Sequence, residues 1–423
     1  MSEFAGQNSR GPSKWSMVGK DAATIPLEEI DLSHPGIWQA NEHLPFLARL
    51  RADAPVHYCK NSAVGPYWSV TKYKNIMEVD TSPQIYSSEP TIGIVDTFEE
   101  FTFPAFISMD PPKHDEQRKV VQGVVAPTNL KNLEGLIRQR VCNILDSLPV
   151  EEEFDWVKNV SIELTTQMLA TLFDFPFEDR YKLTRWSDVA TAIPGHGVID
   201  TLDERWEAIQ ECLAYFTRLW NERINQEPGN DLVSMLAHGE STRNMPPEEF
   251  LGNIILLIVG GNDTTRNSIS GGVLALNENP QEYDKLRQDP SLISNMVSEI
   301  IRWQTPLAYM RRTAKVDAEL GGQQIKAGDK VVMWYASGNR DADVIDQPDR
   351  FWIDRPNARQ HLSFGFGLHR CMGNRLAEMQ LRILWEEISQ RFHKVEIVGE
   401  VERVYSSFVK GYSRMPVVLH PSK

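Results

Sequence analysis

Long apolar runs are absent from this sequence of 423 residues. No stretch of about 18 consecutive apolar residues occurs, so we expect no segment that spans a membrane. Positive charge is also scarce, since 44 Lys and Arg stand against 58 Asp and Glu and give a formal net charge of −14. A surface of this sign repels phosphate backbones and anionic lipid headgroups. We therefore expect no nucleic-acid partner.

Cysteine is scarce as well. Cys59, Cys142, Cys212 and Cys371 are scattered and form no CxxC pair, which argues against a disulfide framework and against a zinc site. Residues 1–24 are polar and rich in Gly and Ser, without the apolar core of a signal peptide. We interpret residues 1–24 as a disordered arm and predict a cytoplasmic protein.

The rest of the chain is patterned mainly for helices. Two short β-type runs at 55–58 and 67–71 flank a turn and predict a hairpin. A period of 3.6 residues dominates from about 127 to 303. Strand signals return at 316–334 and 395–419, and no linker divides the chain. We predict a mainly α protein with small β-sheets near its N-terminal and C-terminal parts.

One predicted helix is unusually long and ends before Pro280. It is apolar on most sides before residue 260, so we expect it to cross the interior. Gly260 and Gly261 fall in its middle, where each costs about 1 kcal/mol relative to alanine. The hydroxyl of Thr264 can bond the carbonyl of Gly260. With Asp263 it would form a polar pocket suited to binding dioxygen and relaying protons; a kink without chemistry is the alternative.

The segment FGFGLHRCMG, from Phe364 to Gly373, leads into a predicted helix. Cys371 lies where the loop enters that helix, and the N–H groups and dipole there favour a thiolate. A thiolate can bind a metal and favours cleavage of an O–O bond on it. The alternative is a buried cysteine in a Gly-rich turn. The spacing of Phe, two Gly, His, Cys and Gly favours the metal ligand.

Glu299 and Arg302 stand three residues apart on a helix, so they share one face. A bare ExxR pattern is usually a surface ion pair of small energy. The flanking residues are apolar here and predict burial. Because a buried pair needs further partners, we expect Arg355 to join it.

Together, and in their order along the chain, the three motifs resemble the cytochrome P450 family of haem-thiolate monooxygenases. The resemblance extends from about Leu44 to the C-terminus. The resemblance implies a single domain over residues 25–423 that binds haem b between the long helix and the Cys371 loop. Its implied reaction inserts one atom of O2 into an apolar substrate and reduces the other to water. Cys371 matches the iron ligand, and Thr264 with Asp263 matches the alcohol–acid pair that delivers protons to dioxygen.

The resemblance also implies the contacts of the haem. Two propionate carboxylates require basic side chains, and Phe364 and Gly365 would lie against the haem in the Cys371 loop. The matching basic residues are His114, Arg118, Arg312 and His369. Glu299, Arg302 and Arg355 match the structural ion-pair triad of the family.

Helical spacing predicts which residues would face the substrate. If Thr264 faces the iron, then Gly260, Leu256 and Val259 lie on the same wall. The segments after the ion-pair helix and before His114 would supply the opposite wall. Their candidate residues are Leu307, Ala308, Tyr309, Phe98, Phe103 and Ile107.

Several stretches, among them 65–73, 154–157 and 263–268, resemble the bacterial branch that hydroxylates alkanes at the chain terminus. This resemblance implies terminal hydroxylation of medium-chain alkanes or fatty acids. Electrons would come from a separate ferredoxin and its NAD(P)H-dependent reductase, with Arg370 and Arg375 as contacts for the acidic partner. The alternatives are a steroid or terpene hydroxylase, a peroxide-using haem-thiolate enzyme, and a haem sensor without turnover.

Overall fold

The computed structural model describes residues 14–96 and 103–422, and helices dominate it. The mainly α fold predicted from the sequence is confirmed. Among the described residues, no helix is both long and apolar enough to cross a lipid bilayer. The α-helices are α1 (Gly36–Gln39), α2 (His43–Asp53), α3 (Tyr73–Asp80), α4 (Lys113–Val121), α5 (Pro127–Asp146), α6 (Glu163–Leu172), α7 (Tyr181–Thr191), α8 (Leu202–Arg223), α9 (Leu232–His238), α10 (Pro247–Glu278), α11 (Pro280–Gln288), α12 (Ile293–Gln304), α13 (Tyr335–Gly338) and α14 (Asn374–Arg391).

Short strands form small sheets beside this helical body. The strands are β1 (Val56–Cys59), β2 (Tyr67–Val70), β3 (Tyr86–Ser87), β4 (Phe154–Asp155), β5 (Met310–Ala314), β6 (Ala318–Leu320), β7 (Gln323–Ile325), β8 (Lys330–Met333), β9 (Phe392–Ile397), β10 (Glu402–Arg403), β11 (Tyr412–Arg414) and β12 (Pro416–Pro421). The largest sheet has the order β1-β2-β8-β5-β3, and β4-β12-β9 forms a second one. The predicted hairpin is present, with Val56 of β1 opposite Val70 of β2. Distant parts of the chain therefore meet in the main sheet.

The N-terminal arm differs from its prediction where the structure describes it. Met17 and Ala22 are 3% and 7% exposed and belong to a hydrophobic cluster with Trp38 and Trp334. Residues 14–24 are thus packed against the body rather than disordered, because their few apolar side chains find partners. Residues 1–13 of the predicted arm lie outside the described residues.

Helix α10 spans 32 residues and crosses the main hydrophobic core, as the sequence predicted. Its two central glycines have different surroundings. A Cβ added at Gly261 would stand 2.7 Å from the side chain of Leu169 on α6, whereas one at Gly260 would meet no atom within 4 Å. The poor helix propensity is therefore offset at Gly261 by close packing of α10 on α6.

The buried ion pairs around Glu299 join α12 to the segment that follows β8. The Glu299 carboxylate accepts hydrogen bonds from Arg302 at 2.7 and 2.8 Å and from Arg355 at 2.9 Å. The backbone N–H of Trp352 adds another at 2.9 Å. All three charged side chains are at most 3% exposed. The structure thus brings the three residues together, and the Glu299 carboxylate is fully hydrogen-bonded.

Glu299→Gln should lower the urea midpoint of unfolding strongly, because two buried guanidinium groups lose their counter-ion. Breaking a buried pair by removing one partner costs roughly 3–5 kcal/mol. Lys326→Gln is the matched control, since it breaks the exposed ion pair of Lys326 with Asp317 and should leave the midpoint unchanged. Far-UV circular dichroism measures both. Equal midpoints for Glu299→Gln and the parent protein would contradict the structural role of the cluster.

Candidate active site

A cavity of about 790 Å³ lies between α10 and the Cys371 loop. Its walls come from α10, from the α7–α8 connection, from the segment before α4 and from residues 306–310. Most of the surface that lines it is apolar, and a few polar side chains interrupt it. Such a cavity, with few and separated polar groups, is typical of a site for a cofactor or a small apolar ligand.

The α10 wall has the residues that helical spacing predicted. Leu256, Val259, Gly260 and Thr264 all line the cavity. The Thr264 hydroxyl donates a hydrogen bond of 2.9 Å to the carbonyl oxygen of Gly260, as predicted. Helix α10 nevertheless continues through this turn without a break. The site therefore has a hydroxyl beside a helical carbonyl on an otherwise apolar wall.

Asp263 does not share the pocket with Thr264, and this corrects the expectation from the sequence. Asp263 is fully buried and pairs with Arg266 at 2.9 Å. It also accepts hydrogen bonds from Ser187 at 3.1 Å and from Thr191 at 3.4 Å, both on α7. Neighbouring helix positions point about 100° apart, because a turn holds 3.6 residues. Asp263 therefore faces α7 when Thr264 faces the cavity.

The surroundings of Asp263 also affect its protonation. Burial raises the pKa of the Asp263 carboxyl, and the guanidinium of Arg266 acts in the opposite direction. Thr191, one of its hydrogen-bond donors, itself lines the cavity. The sequence did not indicate Thr191, which connects the buried carboxylate with the cavity wall.

The Cys371 loop is held in shape by left-handed glycines. Gly365 and Gly367 have φ values of 63° and 64°, which side chains with a Cβ rarely adopt. The N–H of Cys371 donates to the carbonyl of Phe364 at 2.8 Å. Phe364, Gly365 and Cys371 all line the cavity. The sulfur of Cys371 is thereby presented at the cavity floor, where α14 begins.

Opposing influences act on the thiol of Cys371. Burial raises its pKa, while the backbone N–H groups of Gly373 and Asn374 and the guanidinium groups of Arg118 and Arg370 lower it. Burial is the largest of these influences. A metal ion deprotonates a coordinating thiol outright. A metal ion bound by Cys371 would therefore favour its thiolate form.

Basic side chains surround one part of the cavity. Arg118, Arg312 and His369 line it, and the His114 ring packs against His369 with centroids 4.2 Å apart and ring planes tilted by 57°. Burial and the nearby Arg312 lower the pKa of His369 to about 2, so this ring is neutral. Asp80, which the sequence did not indicate, binds Arg312 at 2.8 Å.

These residues fit haem b. Among the described residues, Nε2 of His114 and Nδ1 of His369 are buried without a hydrogen-bond partner, and buried ring nitrogens normally have one. Two guanidinium groups, Arg118 and Arg312, stand on the same cavity wall. Cationic and N–H donors of this kind are what two propionate carboxylates require. Cys371 supplies the sulfur that would ligate the iron.

Only some of the remaining residues that were predicted to face the substrate line the cavity. Leu307, Phe103, Ile107 and Tyr309 line the cavity. Ala308 is not among the lining residues, because it packs in the second hydrophobic cluster, where its N–H bonds the carbonyl of Phe408. Phe98 lies outside the described residues. Lining residues that the sequence did not indicate are Ile193, Leu202, Arg205, Trp206 and Phe408.

Comparison with known proteins identifies the family. The family model described as Cytochrome P450 matches residues 116–408. The chain is 35% identical to linalool 8-monooxygenase of Pseudomonas putida, over 93% of this chain and 100% of that protein. It is 31% identical to methyl-branched lipid omega-hydroxylase of Mycobacterium bovis, over 94% and 96% of the two chains.

A solved structure agrees with this result. Cytochrome P450-153 from Novosphingobium aromaticivorans superposes with a TM-score of 0.87 at 48% identity, covering 92% of this chain and 99% of that one. The fold and the site thus define a haem-thiolate monooxygenase. The chain belongs to the cytochrome P450 family, whose members bind haem b.

The chemistry is divided between the cofactor and the protein. Bound haem supplies the redox chemistry by which O2 is activated. Cys371 would hold the iron from the floor of the cavity, and Arg118, Arg312 and His369 would orient the propionates. On the α10 wall the Thr264 hydroxyl is held by its hydrogen bond to the carbonyl of Gly260. The apolar residues around it keep bulk water from the reacting carbon.

Cys371→Ala should abolish the red-shifted Soret band of the ferrous–CO complex together with activity, because no other side chain on the cavity wall supplies a thiolate among the described residues. The matched control replaces Cys59, Cys142 and Cys212 by Ala at once. That triple variant should keep both properties. Loss of the band in the triple variant with Cys371 intact would show that the ligand is assigned wrongly.

Proposed function

We propose that this monooxygenase hydroxylates linear alkanes or fatty acids of medium length at the terminal carbon. The observation that carries the proposal is the wall around Thr264, where Leu256, Val259 and Leu307 line the cavity with aliphatic side chains. Affinity then comes from burial of the chain, at about 0.8 kcal/mol for each methylene. A terminal C–H bond is stronger than an internal one, so attack at the end requires a channel that keeps internal methylenes away.

Two relatives bear on the choice of substrate. The mycobacterial relative is named for omega-hydroxylation of a methyl-branched lipid, which is oxidation at a chain end. The Pseudomonas relative is named for oxidation of linalool, and this similarity supports terpene hydroxylation as the second candidate function. Both candidates share the mechanism. They differ in whether the cavity prefers an unbranched chain or a branched one.

We further propose that electrons arrive from a separate ferredoxin and its NAD(P)H-dependent reductase. Arg370 and Arg375 are both exposed and lie on either side of Cys371 in the sequence. Exposed guanidinium groups at this position suit an acidic partner protein. The hydroxyl of Thr264 on the cavity wall favours a reaction that uses O2 over one that uses peroxide, since O2 activation needs delivered protons.

Thr264→Ala should still bind substrate but divert reducing equivalents to hydrogen peroxide, because proton delivery is no longer directed by the hydroxyl. Asp263→Asn should slow turnover with less peroxide, because Asp263 is connected with the cavity wall through Thr191 while the Thr264 hydroxyl stays in place. The measurement is the ratio of product and peroxide to NADH consumed in a reconstituted ferredoxin system. Equal coupling of NADH to product in Thr264→Ala and the parent enzyme would refute the proton-delivery role.

The parent enzyme should convert linear chains mainly to primary alcohols. Leu256→Ala or Val259→Ala should widen the channel and raise the share of secondary alcohols severalfold. Val316→Ala, at an exposed position outside the cavity, should not change the distribution. Gas chromatography of products from an alkane, fatty-acid and terpene panel provides the measurement. Mainly subterminal alcohols, or a preference for branched or polycyclic substrates, would overturn the proposed function while leaving the haem assignment intact.

A further inference from the structure

Arg205 stands in the cavity wall at the first turn of α8. Its guanidinium donates a hydrogen bond to the carbonyl of Ala192, the residue that follows α7. Its Nε is buried and has no hydrogen-bond partner among the described residues. None of its hydrogen bonds in the described structure reaches α10 or the Cys371 loop. Arg205 therefore belongs to the α7–α8 side of the cavity, apart from the residues that fit the haem.

The charges on the cavity wall distinguish Arg205 from the other arginines there. Arg312 pairs with Asp80 at 2.8 Å, and Arg118 lies within electrostatic reach of Cys371. Asp96 is the one carboxylate among the described lining residues. It is already bound by Arg311 and Lys330, each at 2.7 Å. No described carboxylate forms an ion pair with Arg205.

The apolar side chains around Arg205 make a guanidinium without an ion pair energetically unfavourable there. Leu202, Ile193 and Ile209 line the same cavity, and Phe103 stacks on Trp206 at 6.0 Å between ring centroids. Burial lowers the pKa of the Arg205 guanidinium, and no neighbouring charge opposes the effect. A half-buried guanidinium without a counter-ion among apolar side chains is unfavourable, whereas a carboxylate can accept two parallel hydrogen bonds from it. Arg205 thus offers hydrogen-bond donors for a carboxylate, and no described residue supplies that carboxylate.

We propose that Arg205 binds the carboxylate of a fatty-acid substrate, so that fatty acids are preferred over alkanes and neutral esters of equal length. This inference rests on the proposed function, which supplies the linear chain. The chain would occupy the apolar cavity while its head is fixed on the α7–α8 side. When the carboxylate of a chain is fixed, the distance from Arg205 to the oxidant decides which carbon of the chain is oxidised. Head-group binding thus contributes to the choice of the terminal carbon.

The test compares an anionic ligand with a neutral one of the same chain length. Dodecanoate and methyl dodecanoate are titrated into the haem-loaded enzyme by isothermal calorimetry. In Arg205→Gln the Kd for dodecanoate should rise at least about tenfold, as expected for losing hydrogen bonds to a charged group. The Kd for the methyl ester should stay within about twofold, since the ester has no charge to lose. Arg205→Lys should restore only part of the affinity for dodecanoate, because an ammonium keeps the charge but cannot donate two parallel hydrogen bonds.

Arg185→Gln is the matched control. Arg185 is an exposed arginine of α7 that pairs with Glu211 and does not line the cavity, so this variant should bind both ligands like the parent. An equal loss of affinity for both ligands in Arg205→Gln would mean that Arg205 only supports the α7–α8 connection, and would overturn the inference. Unchanged binding of dodecanoate would overturn it as well.

Product analysis separates this inference from the proposed function. If the parent enzyme oxidises dodecanoate at the terminal carbon but Arg205→Gln binds it normally, the carboxylate site is wrong and the proposed function stands. If dodecanoate is bound through Arg205 but oxidised at internal carbons, the proposed function fails and the carboxylate site stands.

Discussion

The position of the Cys371 loop depends on the buried ion pairs of Glu299. Arg302 is held by Glu299 and also donates to the carbonyls of Asn339 and Pro348, at 2.8 and 2.9 Å. The side-chain amide of Asn339 in turn donates to the Ser363 hydroxyl and accepts a hydrogen bond from the N–H of Leu362. The Ser363 hydroxyl donates to the carbonyl of Ile301 on α12. The Cys371 loop begins immediately afterwards. A charged cluster that does not itself line the cavity thus helps to fix where the cysteine sulfur stands.

Features set by neighbours along the chain were predictable from the sequence. The hydrogen bond from Thr264 to Gly260 and the pairing of Glu299 with Arg302 follow from helical spacing. The hairpin of β1 and β2 follows from strand patterns around a turn. These contacts depend on local periodicity, which a single sequence contains.

Features set by tertiary packing were not predictable in the same way. Asp80 and Arg312 stand 232 positions apart, and no local pattern relates them. Asp263 turns toward α7 because α7 supplies Ser187 and Thr191 there. Arg205 lies in a stretch of charged residues that resembles a solvated helix face, yet it is half-buried and lines the cavity. In each case a partner distant in the chain decides the role of the side chain.

The adjacent glycines of α10 have a consequence for how this cavity can change. Gly261 has no room for a larger residue, because Leu169 of α6 stands against it. Gly260 faces open space, and replacing a helical glycine with alanine gains about 1 kcal/mol of helix propensity. Substitutions at position 260 can therefore reduce the cavity volume in small steps, since no protein atom stands against a side chain there. At position 261 the same substitutions would clash with Leu169 and destabilise the fold, whatever the substrate.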